Sequence, residues 1–144
     1  MPCLSGQCDP AIGPLVQMGI EIAGTIQATP ARLFQPIPAG RIFSSLVDTG
    51  ATTSCISAAV VAALGITPAG MRPMGSATQT SVATNTYLID LAIIFTGVNW
   101  WFPNLLVFEY TPAQNCGHHI LVGRDILCKG AFTLHSDGHF SFSI

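Results

Sequence analysis

Through Leu15–Ile26 apolar positions alternate with others, and Val16, Met18, Ile20 and Ile22 fall on one side. That spacing predicts a β-strand with one face toward a core, and Gly24 supplies a turn signal. Ile42–Val47 predicts a second short strand that runs directly into Asp48. Between the two, Gln27–Gly40 contains Pro30, Pro36 and Pro38 and reads as a long extended loop. Ala58–Leu64 is a run of helix formers, with Ser57 placed as its N-cap and Gly65 just past its end, so it predicts one short helix. Residues 67–86 are rich in Thr, Ser, Ala, Gly and Asn, carry almost no large apolar groups, and lead into a strand over Tyr87–Phe95. Leu105–Tyr110 predicts a further strand, Thr111–His119 a loop, Ile120–Val122 a short buried strand, and Asp125–Lys129 a second short helix ended by Gly130. Phe132–Leu134 and His139–Ile144 flank Ser136-Asp137-Gly138, and an Asp-Gly pair between alternating runs predicts a hairpin. Strand and helix do not alternate as in a parallel α/β sheet, so the pattern predicts an all-β domain over residues 15–144, preceded by an irregular segment over residues 1–14.

Composition narrows the partners. Of 144 residues, 49% are apolar and only 8% charged, which leaves little charged surface and makes an apolar face covered by a partner the expectation. A formal net charge of −2 gives no reason to expect nucleic acid or an anionic membrane as ligand. The longest apolar stretches, Ala58–Ile66 and Leu91–Phe95, fall far short of the ~18–20 residues that span a bilayer. Met1–Ile12 has no basic region and contains Asp9, so it does not read as a signal peptide; a cytoplasmic protein, or a soluble domain of a larger precursor, is the expectation. Cys3, Cys8, Cys55, Cys116 and Cys128 are odd in number and form no CxxC pair, which fits free thiols, with a small Cys3–Cys8 loop as the alternative.

The residue that carries chemistry is Asp48. It ends an apolar strand and is followed by Thr49, Gly50 and Ala51, so its carboxylate is pushed out of the sheet into a tight turn. Peptide hydrolysis by carboxylates needs two of them: one takes a proton from water while the other protonates the carbonyl oxygen. At ~3 Å separation both cannot be ionised, so one stays protonated. No second Asp-Thr-Gly or Asp-Ser-Gly occurs, and Asp9, Glu21, Asp90, Glu109 and Asp125 lack the turn. The economical solution is an isologous homodimer in which Asp48 of each chain meets at the two-fold axis.

Leu46-Val47-Asp48-Thr49-Gly50-Ala51-Thr52 resembles the active-site motif of the retropepsin-like aspartic proteases. About 70 residues later, Ile120-Leu121-Val122-Gly123-Arg124-Asp125-Ile126-Leu127 is similar to that family's second signature, an apolar strand followed by Gly-Arg-Asp/Asn and a short helix. Met74–Ile93 is similar to its flap hairpin, and the resemblance covers roughly residues 15–134. It implies a closed β-domain that dimerises, no metal or organic cofactor, and a peptide or protein substrate held in a cleft across the dimer. Asp48 would be the catalytic acid or base, Thr49 would hydrogen-bond across the dimer axis, and Gly50 would offer its carbonyl to the substrate backbone, with Ala51 supporting the turn. Gly75, Ser76, Ala77, Thr78 and Gln79, within a flap tip over Gly75–Ser81, would close on the substrate. Gly123, Arg124 and Asp125 would be structural, an ion-paired helix start. The resemblance departs in two places. Retroviral enzymes carry an acid where Thr52 stands, so Arg124 must find another partner: Asp125, Asp9 or the C-terminus. The Gln27–Gly40 loop is longer than the family's turn and would shape the cleft or contact a partner.

Other readings stand beside this one. The same fold can serve as a catalytically weak or inactive peptide-binding or dimerisation module. Cys116, His118 and His119 would define a metal-binding or hydrolytic β-domain, but no second pair sits at ligand spacing, so a loop with surface histidines is favoured. Trp100-Trp101-Phe102 reads as core packing in preference to an interface patch, and Cys55 and Cys128 as small buried apolar groups.

Overall fold

Aliphatic positions repeating every second residue give each strand one face to bury, and the chain satisfies them by closing a sheet on itself. The computed structural model describes residues 2–25, 30–76 and 79–144. In chain order the strands are β1 (Cys3–Gln7), β2 (Leu15–Ile22), β3 (Ile42–Val47), β4 (Cys55–Ser57), β5 (Gly70–Ser76), β6 (Gln79–Phe95), β7 (Val98–Tyr110), β8 (Ile120–Val122), β9 (Ala131–Leu134) and β10 (His139–Ser143). Helix α1 covers Ala58–Leu64 and α2 covers Arg124–Leu127.

One sheet runs β2-β3-β8-β4-β7-β6-β5, and β2 also pairs with β6, which closes six of these strands into a ring. Met18, Ile20, Ile56, Ile89, Leu91, Val107, Ile120 and Val122 fill it, and the last turn of α2 adds Ile126. A smaller sheet, ordered β1-β10-β9, packs Phe140 and Phe142 against this core.

The pairing that matters for the site is at β8. It lies between β3, parallel to it (Leu46↔Leu121, Val47↔Val122), and β4, antiparallel to it (Cys55↔Leu121, Ile56↔Ile120). The loop that joins β3 to β4 carries Asp48, so the start of α2 is delivered beneath that loop.

Several elements differ from expectation. The N-terminal segment, expected to be irregular, contributes β1, because its residues complete the edge of the small sheet through five pairs with β10. Cys3 and Cys8 lie at opposite ends of this extended stretch, and all five thiols are free. Residues 67–86 are not merely a polar lead-in: they form β5 and the first half of β6, an antiparallel hairpin projecting beyond the ring. Thr80, Val82, Thr84 and Thr86 are β-branched, and that preference outweighs their small apolar content. The strand expected over Leu105–Tyr110 begins at Val98, and it places Trp100 and Phe102 against the core with Trp101 on the other face. Gly65 ends α1 in the left-handed conformation (φ 64°) as expected, but the Ser57 hydroxyl makes no capping bond and lies 3.3 Å from His119 Nδ1.

The described part of the Gln27–Gly40 loop packs away from Asp48. Ile37 fills the space a side chain on Gly19 would need, and Asn99 Nδ2 donates to the Gln35 carbonyl (2.6 Å). None of the described residues of this loop lines the cleft described below.

Candidate active site

Asp48 is held by the main chain on three sides. Its N–H donates to the Val122 carbonyl (3.0 Å), its carbonyl accepts from Ala51 N–H (3.2 Å), and its Oδ1 accepts from Gly50 N–H (2.9 Å). Among the described residues, Oδ2 receives no donor. The carboxylate is half-buried, whereas Thr49 and Gly50 at the tip of the turn are exposed. Ala51 passes the constraint on, accepting the Arg124 N–H at its carbonyl (2.9 Å).

The Gly123-Arg124-Asp125 segment locks the other half of the loop. A Cβ on Gly123 would sit 2.7 Å from the Thr53 carbonyl carbon and 2.9 Å from the Ser54 nitrogen, so only glycine lets the two backbones approach this closely. Ser54, fully buried, joins everything together: its Oγ accepts the Gly123 N–H (3.0 Å) and donates to Asp125 Oδ1 (2.7 Å), and its N–H donates to Asp125 Oδ2 (2.9 Å). Asp125 Oδ1 also accepts the Ile126 N–H at the start of α2 (3.0 Å). The expected ion-paired helix start is therefore a carboxylate tied to main-chain and hydroxyl donors. Arg124 donates to Thr52 Oγ1 (3.0 Å), not to Asp125, Asp9 or the C-terminus. The residue at the position where an acid was missing is itself the partner.

Over Asp48 lies a cleft of about 380 Å³ whose wall includes Cys55 and Leu121 below and Met74, Gly75 and Val82 of the β5–β6 hairpin above. A second concavity continues past Gly50, Thr52 and Thr53 to Pro73 and Phe108. Gly75, expected in the flap, thus faces the Asp48 cleft. Ser76 and Gln79 pair across the hairpin, while Ala77 and Thr78 lie outside the described residues. Cys55 is buried, and that burial, with the Asp125 and Asp48 carboxylates adding to it, raises its thiol pKa to about 11, so it stays a neutral apolar wall.

Tyr110 also lines the cleft, and its hydroxyl lies 2.9 Å from His118 Nδ1. Burial pushes the phenol well above its ordinary range, with Cys116 and Cys55 adding to it, while burial and then His119 lower the His118 pKa. A neutral imidazole accepting from Tyr110 fits both directions. Cys116, His118 and His119 do not converge: Cys116 Sγ points to the His118 carbonyl, His119 to Ser57 and Phe43, and no metal-ligating group of three exists among the described residues. Ser54 and Tyr110 were not legible as site residues, because nothing local in the sequence distinguishes them from ordinary strand positions, whereas Met74 and Val82 fall within the expected flap hairpin but outside the tip expected over Gly75–Ser81.

The family model of the aspartyl proteases matches residues 38–126, more than half of the 144-residue chain. The chain belongs to that family. In fold it is similar to a retropepsin-like aspartic protease from Rickettsia conorii, with a TM-score of 0.64 and 12% identity over 97% of this chain and 89% of that one. The Simian Foamy Virus (mac) protease gives a TM-score of 0.47 and 13% identity over 80% of this chain and 92% of that one. A search of curated proteins returned no match. The chain therefore has the retropepsin-like all-β fold expected from its two motifs. No helix among the described residues is long and apolar enough to cross a membrane.

Proposed function

We propose that the chain is one subunit of a homodimeric aspartic endopeptidase, in which water attacks a peptide carbonyl between two Asp48 carboxylates, one from each copy. The observation that carries this reading is Asp48 itself. Its carboxylate is fixed through Oδ1, left without a donor at Oδ2 among the described residues, and set at the wall of a cleft roofed by a hairpin.

One carboxylate cannot both accept and deliver a proton in the same step, and the sequence holds no second loop of this kind. A two-fold axis beside Asp48 supplies it. The ionised partner then takes a proton from water while the protonated one donates to the carbonyl oxygen. Thr49 is exposed and its hydroxyl makes no bond within the chain among the described residues, which suits a bond across the axis. The Gly50 carbonyl is available to the substrate backbone. Closure of the β5–β6 hairpin, Gly75 at its inner face, would exclude water from the dyad.

Incubating the purified protein and Asp48→Asn with a diverse peptide pool, with sedimentation alongside, tests this. Cleavage by a dimer, absent in the variant and strongest at mildly acidic pH where the dyad holds one proton, is the expected result. Cleavage unchanged in Asp48→Asn overturns it, as does an active monomer. Peptide binding without cleavage by the wild type would instead establish the binding-module reading.

A further inference from the structure

The Asp48 cleft does not end at the hairpin. β6 and β7 run as a pair as far as Thr86↔Phe108 and then part: β6 turns to β5 (Met71↔Asn85), while β7 turns to β4 (Glu109↔Ile56). In the fork between them lies an open concavity of about 600 Å³. It shares Met74, Thr84 and Tyr110 with the Asp48 cleft, so the two adjoin.

Glu109 stands in this fork, half-buried. Both of its donors, Asn85 Nδ2 (3.1 Å) and Tyr87 OH (3.0 Å), reach the same oxygen, Oε2. Among the described residues Oε1 has no donor, and neither lysine nor arginine pairs with the carboxylate. A carboxylate that is oriented by two side chains, and partly withdrawn from water, is a preformed acceptor for a cation. Tyr87 is buried, and its phenol pKa is raised by that burial and by its bond to Glu109, so it remains a donor.

We infer that Glu109 is a specificity-determining residue that receives the cationic side chain of a lysine or arginine in the peptide substrate, at a position removed from the bond that is cut. This rests on the proposed endopeptidase reading for its substrate class, but the site can be tested without cleavage.

Peptide pairs that differ only in lysine or glutamine at each position around the cut bond give the first measurement. The lysine form should be cleaved with about tenfold higher kcat/KM at one position, the size expected of one partly exposed charged contact. In Glu109→Gln that ratio should fall to near one. Thr111→Lys, which places an ammonium at the fork, should abolish the same preference while leaving the carboxylate in place. A wild type with no lysine preference at any position overturns the inference, and so does a preference that survives both variants. A second arm measures binding of the same fluorescent peptides to Asp48→Asn, with and without Glu109→Gln. If the wild type cuts nothing, tighter binding of the lysine form that is lost in the double variant still upholds the site, and equal binding of both forms rejects it.

Discussion

The two walls of the cleft are built in opposite ways. Below, the Asp48 turn is clamped between β8 and α2: Gly123 sits against the Thr53–Ser54 backbone, and buried Ser54 donates two hydrogen bonds to the Asp125 carboxylate. Above, β5 pairs with β6 alone among the described strands, and the arms of the hairpin leave Met71 and Val82 64% and 59% exposed. The contrast suits the proposed function, in which a reacting carboxylate must be held to within fractions of an ångström and a cover must let an extended peptide in and out. The first wall is over-determined and the second is held by little more than one ladder.

This contrast can be broken experimentally, beginning with the largest effect. Asp48→Asn should reduce peptide cleavage on the order of a thousandfold or more, while melting almost unchanged because the amide oxygen still accepts the Gly50 N–H. Parallel assays and thermal scans check both halves. Gly123→Ala should destabilise the fold by about 3 kcal/mol, since its methyl meets main chain that cannot move aside, and urea unfolding measures it. Ser54→Ala strands the Gly123 N–H and removes one bond to Asp125, and should cost about 2 kcal/mol in the same experiment. Val82→Ser or Met71→Ser in the hairpin should change stability by no more than about 0.5 kcal/mol, with Val82→Ser acting on KM because Val82 lines the cleft. A hairpin variant that costs more stability than Ser54→Ala would erase the distinction.

The smallest effect concerns pH. Cys55 has its thiol pKa raised to about 11 in the fold, chiefly by burial, so above its ordinary value the unfolded chain loses a proton that the folded chain keeps. Stability should therefore fall as pH rises from about 9 to about 11, and Cys55→Ala should flatten that slope in denaturant titrations.

Apolar pattern marked β2, β3 and β8, while helix formers ended by Gly65 marked α1 and the Asp-Gly pair marked the C-terminal hairpin. It missed β1, whose Cys-Leu-Ser-Gly-Gln run has no strong pattern and is a strand only because β10 offers it an edge. It also missed the first half of β6, where threonines stand in for large apolar residues.

For the site, the sequence by itself marked the candidate chemistry: an aspartate in a tight glycine turn, a second signature about 70 residues later, and no second Asp-Thr-Gly or Asp-Ser-Gly among the 144 residues. Those properties are local, written in residue type and short spacing. Only the tertiary structure decided who meets whom. It placed β8 between β3 and β4, gave Arg124 to Thr52, made buried Ser54 the link between the two motifs, and set the concavity that holds Glu109 beside the cleft. These contacts join residues about 70 positions or more apart, or strands that part after running together, and no local pattern encodes them.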